Sequence, residues 1–182
     1  MTTWFTADTH FGHGAIRALL RRPFPTTAAM DAALVAAWND VVAPDDEVWH
    51  LGDFAVGHPD PGGLLAGLNG IRHLVAGNND PPAVRALPGW ASVRDMVEVE
   101  VDGQALVLCH YPLRSWNGQG RSGGKAAWNL HGHSHGRLKP LPRQFDVGVD
   151  PRGYRPVRVE DLRPRPRATP PAKPPATPRS PA

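Results

Sequence analysis

Five short stretches of this chain carry side chains of the kind that chemistry needs: Asp8-Thr9-His10, Gly52-Asp53, Gly77-Asn78-Asn79-Asp80, His110 and Gly132-His133-Ser134-His135. The densest lies within Leu130-His131-Gly132-His133-Ser134-His135-Gly136. Side chains two apart in an extended segment project to the same side, so these histidines, like Asp8 and His10, can face a common point. Imidazole, carboxylate and amide donors gathered around such a point are ligands for a divalent metal ion.

These stretches are useful only if the fold brings them together, and the runs before them are β-prone. Thr3 to Ala7 leads to Asp8, Glu47 to Leu51 leads to Asp53, and Ile71 to Ala76 leads to Asn78. Between them lie helical patterns, from Ala15 to Leu20, from a Thr26 or Thr27 cap through Met30, Leu34, Trp38 and Val41, and near Leu64 to Leu68. Strands alternating with helices predict βαβ units with right-handed crossovers, in which ligands collect beyond the strands' C-terminal ends. The pattern then changes. Met96 to Val101 alternates, Asp102-Gly103 is a hairpin turn, and Gln104 to Cys109 returns, which predicts an antiparallel pair ending at His110. Trp128 to Leu130 leads into the histidine stretch, Gln144 to Asp150 supplies one more strand, and Tyr154 to Leu162 closes the domain.

At 182 residues the chain is long enough for one domain with a sizeable core. Its net charge of +3 is unevenly spread. Residues 163–182 hold five basic side chains, eight prolines and no acid, leaving 15 basic against 17 acidic residues elsewhere, or −2. We therefore divide the chain into a domain over 1–162 and a Pro/Arg-rich tail over 163–182 that is expected to be disordered or polyproline-like. The single cysteine, Cys109, excludes an intramolecular disulfide and a cysteine zinc cage. No apolar run of about 18 residues occurs and no charged segment precedes an apolar one at the start, so a cytoplasmic protein without a membrane span is expected. The glycine-rich stretch Asn117 to Lys125 is a decoy for a phosphate cradle, because Ala126 follows Lys125 where a Walker loop needs Ser or Thr.

The order and spacing of Asp8-x-His10, Gly52-Asp53, Gly77-Asn78-x-Asp80, His110 and Gly132-His133-Ser134-His135 resemble the calcineurin-like metallophosphoesterases, over about residues 2 to 160. The resemblance implies an α/β fold, a four-layer α/β/β/α sandwich with two mixed sheets flanked by helices. It also implies a dinuclear centre, with Asp8, His10 and His135 on one metal, Asn78, His110 and His133 on the other, and Asp53 bridging. Two ions roughly 3.5–4 Å apart can share a water, lower its pKa, and clamp both oxygens of an in-line phosphoryl displacement. The donor set suits Mn²⁺, our first choice, or Fe or Zn²⁺, and disfavours Ca²⁺. The activity implied is hydrolysis of a phosphodiester or small activated phosphate ester by a metal-bound hydroxide, on a small phosphorylated substrate or nucleotide.

One position departs from the family pattern. Asn79 stands where relatives carry a His that protonates the leaving group, and an amide donates a hydrogen bond but supplies no proton. The loss should handicap poor leaving groups most; relatives lacking this His include phosphodiesterases, so the resemblance also implies diesters over alkyl monoesters. Asp80, which orients that His in the family, would here orient Asn79 or cap the helix after Pro81-Pro82. His13 either caps the short helix or reaches the site and replaces part of the lost acid function. Arg114, Arg121 and Lys125 read first as charges on a solvated loop; if one of them holds a substrate phosphate, Arg114, four residues after His110, is the first choice. Trp116 would stack on a base or cover core. His50 and His131, inside strand patterns, read as structural. Two other readings follow: a metal-binding scaffold with reduced catalysis, motivated by Asn79, and a nuclease on DNA or RNA, motivated by the basic tail and the tryptophans.

Overall fold

The computed structural model describes residues 1–122, 125–139 and 141–162; the Pro/Arg-rich tail lies outside the described residues. Two four-stranded sheets form the body. The first runs β1 (Thr3–Thr6), β2 (Glu47–His50), β3 (Ile71–Val75) and β4 (Trp90–Arg94), every neighbouring pair parallel. On the free side of β1, Phe5 makes an antiparallel bridge to Val157. The second runs β5 (Met96–Val101), β6 (Gln104–Cys109), β7 (Trp128–His131) and β8 (Gln144–Asp146). Here β5 and β6 are the antiparallel hairpin, with Asp102 and Gly103 both at positive φ in its turn, and the remaining pairs are parallel.

Side-chain alternation along the strands makes the layers. Phe5, Ala7, Trp49, Leu51 and Val75 of the first sheet meet Leu106, Leu108 and Leu130 of the second in one buried cluster. Trp4, Val48 and Leu74 point the other way, onto α1 (Ile16–Leu20), α2 (Thr27–Val41), α3 (Pro61–Ala66) and α4 (Pro82–Arg85), through Ile16, Met30, Leu34, Trp38, Leu65 and Val84. Thr26 caps α2 by accepting from the Ala29 N–H. The outer face of the second sheet is covered by the segment after β6, where Trp116 packs on Val107 and Ala127 and donates its indole N–H to the Ala127 carbonyl. Trp116 therefore covers core and is not a base-stacking surface. The domain closes with α5 (Val159–Leu162), whose Val159 and Leu162 join the inter-sheet cluster. No helix among the described residues is long and apolar enough to cross a membrane.

The sequence reading missed β4 altogether and ran several strands one residue too far. The parallel pairing of β6, β7 and β8 has a functional consequence: it points β6 and β7 in one direction, so that His110 and His133 leave the sheet at the same edge.

Asp46, just before β2, shows how polar groups pin the sheet's start. Its carboxylate accepts the Thr2 N–H at 2.6 Å, the Trp4 indole N–H at 3.0 Å and the Ala43 N–H at 3.0 Å, tying β1, β2 and the end of α2 together. Burial alone would raise the Asp46 carboxyl; these three donors outweigh it and hold the group below its ordinary value. A depressed folded value means that the stabilisation is complete above the unfolded value of about 4 and is lost as pH falls through the folded value. Asp46→Ala should cost about 1–3 kcal/mol at neutral pH and flatten the acid limb of stability against pH, as measured by urea midpoints; an unchanged midpoint would contradict this role.

Candidate metal centre

The loops after β1, β2, β3, β6 and β7 meet at one edge of the sandwich. The first two run side by side, the Asp8 N–H donating to the Gly52 carbonyl, His10 to Asp53 and Phe11 to Phe54, each within 3.0 Å. Across the second sheet the Gly132 N–H donates to the His110 carbonyl at 3.0 Å. Asp8, His10, Asp53, His133 and His135 all adopt the left-handed conformation, φ between 49° and 65°. Asp and His tolerate this region better than most residues, yet it is uncommon, and its concentration in one place marks a site built for something other than stability.

The donors converge as follows. Asp8, His10 and His135 each offer one ligand atom within 4.8 Å of the others, and so do Asp8, Asp53 and His110. Asp53 lies between two imidazoles, Oδ2 at 3.5 Å from His10 Nε2 and Oδ1 at 3.6 Å from His110 Nε2. Asn78 Oδ1 is 3.0 Å from the same His110 nitrogen. The His133 ring packs edge-on to His110 at 5.2 Å between centroids, and both Asn78 and His133 are exposed. Asp8, His10, Asp53 and His110 are buried.

The arrangement of ring nitrogens and carboxylates in this cluster suits a cation. His110 Nδ1 lies 2.8 Å from the Leu51 carbonyl, an acceptor, so that nitrogen donates, and Nε2 is turned toward Asn78 Oδ1 and Asp53 Oδ1. His135 Nδ1 is 2.8 Å from Asp150 Oδ2, which likewise leaves Nε2 free. His10 Nε2 is buried with no hydrogen-bond partner. Burial first, then the neighbouring His135 and Arg22, pushes the His10 imidazolium down to about 3. Burial holds the Asp8 carboxyl well above the usual range, against the pull of the His133 N–H and with Asp146 and Asp53 adding repulsion. The carboxylates do have donors, the His133 N–H on Asp8 and Asn79 on Asp53, but His10 Nε2 has none, and a buried ring nitrogen without a partner is costly unless a cation takes it up. The residues present fit a metal centre.

Other residues hold these ligands in place, and the sequence reading gave them different roles or none. Asp80 neither orients the Asn79 amide nor caps α4; its carboxylate accepts the backbone N–H groups of Asp53, Phe54 and Gly77, each at 2.8 Å, clamping the β2 and β3 loops together. Asn79 instead turns to Asp53, its backbone N–H donating to Oδ1 at 2.8 Å and its side-chain N–H to Oδ2 at 2.7 Å. His13 caps no helix; its Nδ1 lies 3.3 Å from His10 Nδ1 at the rim. Arg114 is exposed beyond His110. His50 is buried against Thr9 Oγ1 at 2.9 Å and His131 against the Gly132 carbonyl at 2.8 Å, both structural. Asp146, Asp150 and Arg22 were not foreseen. Asp146 holds the β7 loop by accepting from Ser134 Oγ and the Gly136 N–H. Arg22 lies in no recognisable motif and is brought to the site by folding alone.

Two glycines make the convergence sterically feasible. A Cβ on Gly77 would sit 2.3 Å from Asp53 Oδ1, and one on Gly132 2.7 Å from Asp8 Oδ2.

A family model described as a calcineurin-like phosphoesterase superfamily domain matches residues 1–140. The uncharacterized protein MJ1445 of Methanocaldococcus jannaschii is 28% identical, the alignment covering 86% of this chain and 86% of that protein. The Gene 66 protein of Mycobacterium phage L5 is 30% identical over 81% of this chain and 86% of its own length. Among solved structures, the protein of unknown function AQ665 from Aquifex aeolicus superposes with a TM-score of 0.68 at 22% identity, covering 85% of this chain and 94% of that one, a likeness of fold.

Gly77→Ala should lower stability by about 1–3 kcal/mol through overpacking and displace Asp53. In thermal unfolding with and without Mn²⁺, the variant should lose most of the metal-induced rise in melting temperature, whereas a rise equal to that of the wild type would contradict the packing argument.

Proposed function

Because the chain belongs to the calcineurin-like phosphoesterase superfamily, we propose that it is a metal-dependent phosphoesterase that hydrolyses a phosphodiester or a small activated phosphate ester at a dinuclear centre. The observation that carries the proposal is the convergence of ligand-type atoms on both sides of Asp53: His10 Nε2, which has no hydrogen-bond partner, on one side, and His110 Nε2 with Asn78 Oδ1 on the other. Asp8, His10 and His135 would hold one ion and Asn78, His110 and His133 the second, with Asp53 shared. Asp8 lies close enough to both groups to contribute to either. The mixed donors suit Mn²⁺ first, then Fe or Zn²⁺. When bound, two such ions supply Lewis-acid activation of the phosphoryl group and a lowered pKa for the attacking water.

The chain's own residues then define which esters react. Asn79 spends its backbone and side-chain N–H groups on Asp53 and so orients that carboxylate. It has no proton to give a leaving group, which favours esters whose leaving groups depart as stable anions. Asp80, through the backbone of Asp53 and Gly77, acts as a positioning residue. His13, at the rim, is the side chain nearest to His10 that can carry a proton, and Arg114 is the cation that would meet a substrate phosphate. The scaffold reading draws on Asn79 as well. The nuclease reading loses the tryptophans: none of the six is exposed.

With Mn²⁺, wild type should cleave bis-p-nitrophenyl phosphate faster than p-nitrophenyl phosphate, and EDTA should abolish both activities. Asp53→Ala should lose at least about 10²-fold with an unchanged circular-dichroism spectrum, consistent with the terms that such a centre supplies. Asn79→His should gain most, up to about 10²-fold, on phenyl phosphate, whose leaving group needs the proton. A silent wild type whose activity appears only in Asn79→His would favour the scaffold, and full activity in Asp53→Ala would end the enzyme reading at this site.

A further inference from the structure

Arg22 is the buried cation of the molecule's catalytic edge, its side chain fully enclosed, and none of the sequence motifs includes it. A guanidinium taken out of water must find acceptors for its donors, and which acceptors it finds is informative. Nε and Nη2 donate to the two carboxylate oxygens of Asp150, each at 2.8 Å, in the forked geometry of the strongest ion pairs. Nη2 also donates to the Asp8 carbonyl at 2.7 Å, and Nη1 to the Thr9 carbonyl at 2.9 Å. Asp150 Oδ2 in turn accepts from His135 Nδ1 at 2.8 Å. One side chain thus grips the backbone between Asp8 and His10 and, through Asp150, fixes the ring of His135. Those are the three residues of one half of the centre.

Resting on the dinuclear reading above, we propose that Arg22 and Asp150 form a latch that positions the Asp8/His10/His135 half, so that one metal position depends on it directly and the other only through Asp8, whose carboxylate also accepts the His133 N–H. Asp150 orients the ring: with Nδ1 donating to its oxygen, His135 turns Nε2 inward. Arg22 holds two residues of left-handed backbone, Asp8 and His10, where the chain would otherwise relax. The other half is organised differently. His110 is oriented by the Leu51 carbonyl, and among the described residues neither latch side chain is hydrogen-bonded to Asn78, His110 or His133.

The test is Mn²⁺ binding to the full chain, followed by calorimetric titration and electron paramagnetic resonance, in wild type, Asp150→Ala and Asp150→Asn. Wild type should take up two ions and give an exchange-coupled spectrum. Asp150→Ala should weaken one ion by about 10–100-fold, the other less, and show the hyperfine pattern of an isolated Mn²⁺ at intermediate loading. Asp150→Asn, whose amide oxygen still accepts from Nδ1, should fall between the two, and it carries the same comparison if Asp150→Ala does not fold. Equal weakening of both ions would mean a general structural role and would overturn the latch, as would two unweakened ions. A wild type that binds fewer than two ions would overturn the dinuclear reading and the latch with it, a pattern distinct from a two-ion wild type with unaffected variants.

Discussion

Asp53 sits, nearly solvent-free, between two imidazole nitrogens, and much of the domain is arranged around that grouping. At this poorly hydrated edge burial holds the Asp8 carboxyl well above its usual range, with Asp146 and Asp53 adding repulsion. The structure resists this from behind. Asp80 ties down the backbone on either side of Asp53, Asn79 binds both of its oxygens, and Arg22 grips the carbonyls beside Asp8. Two packed sheets with parallel strands at the centre give these loops a stiff base. Left-handed residues cost on the order of 1–3 kcal/mol each when uncompensated, and this edge holds five. On the proposed reading, cations complete this arrangement and offset that cost.

The ligand stretches were legible because parallel strands release their side chains at one edge, so that a polar residue behind each β-prone run is enough to nominate it. The hairpin of β5 and β6 was legible from strict alternation and Asp102-Gly103. β4 was not, since Trp90-Ala91-Ser92-Val93-Arg94 has no clean period of two and follows a Pro88-Gly89 turn. Arg22 and Asp150 could not be found by any local pattern: they are 128 residues apart, and their meaning comes from a contact that only the fold creates. Asp80 was seen but given the wrong partner, because its three backbone donors come from two different loops. Trp116 and the other tryptophans illustrate the opposite error, in which large aromatics that build the core look like a binding surface in a list of residues.

Asn79 separates what the fold provides from what the chemistry requires. The metal-binding donors can be complete while the proton donor of the family is missing, because ligands are demanded by charge burial and the acid only by the substrate's leaving group. Here the amide has taken up a structural task on Asp53. On the proposed reading, that exchange directs the site toward esters whose leaving groups depart without an acid.

The central claim is that cations complete the edge on both sides of Asp53, and anomalous X-ray scattering from crystals grown with Mn²⁺ tests it most directly. The account predicts two peaks roughly 3.5–4 Å apart, one among Asp8, His10 and His135, the other among Asn78, His110 and His133, with Asp53 touching both. A single peak, or peaks away from Asp53, would contradict it.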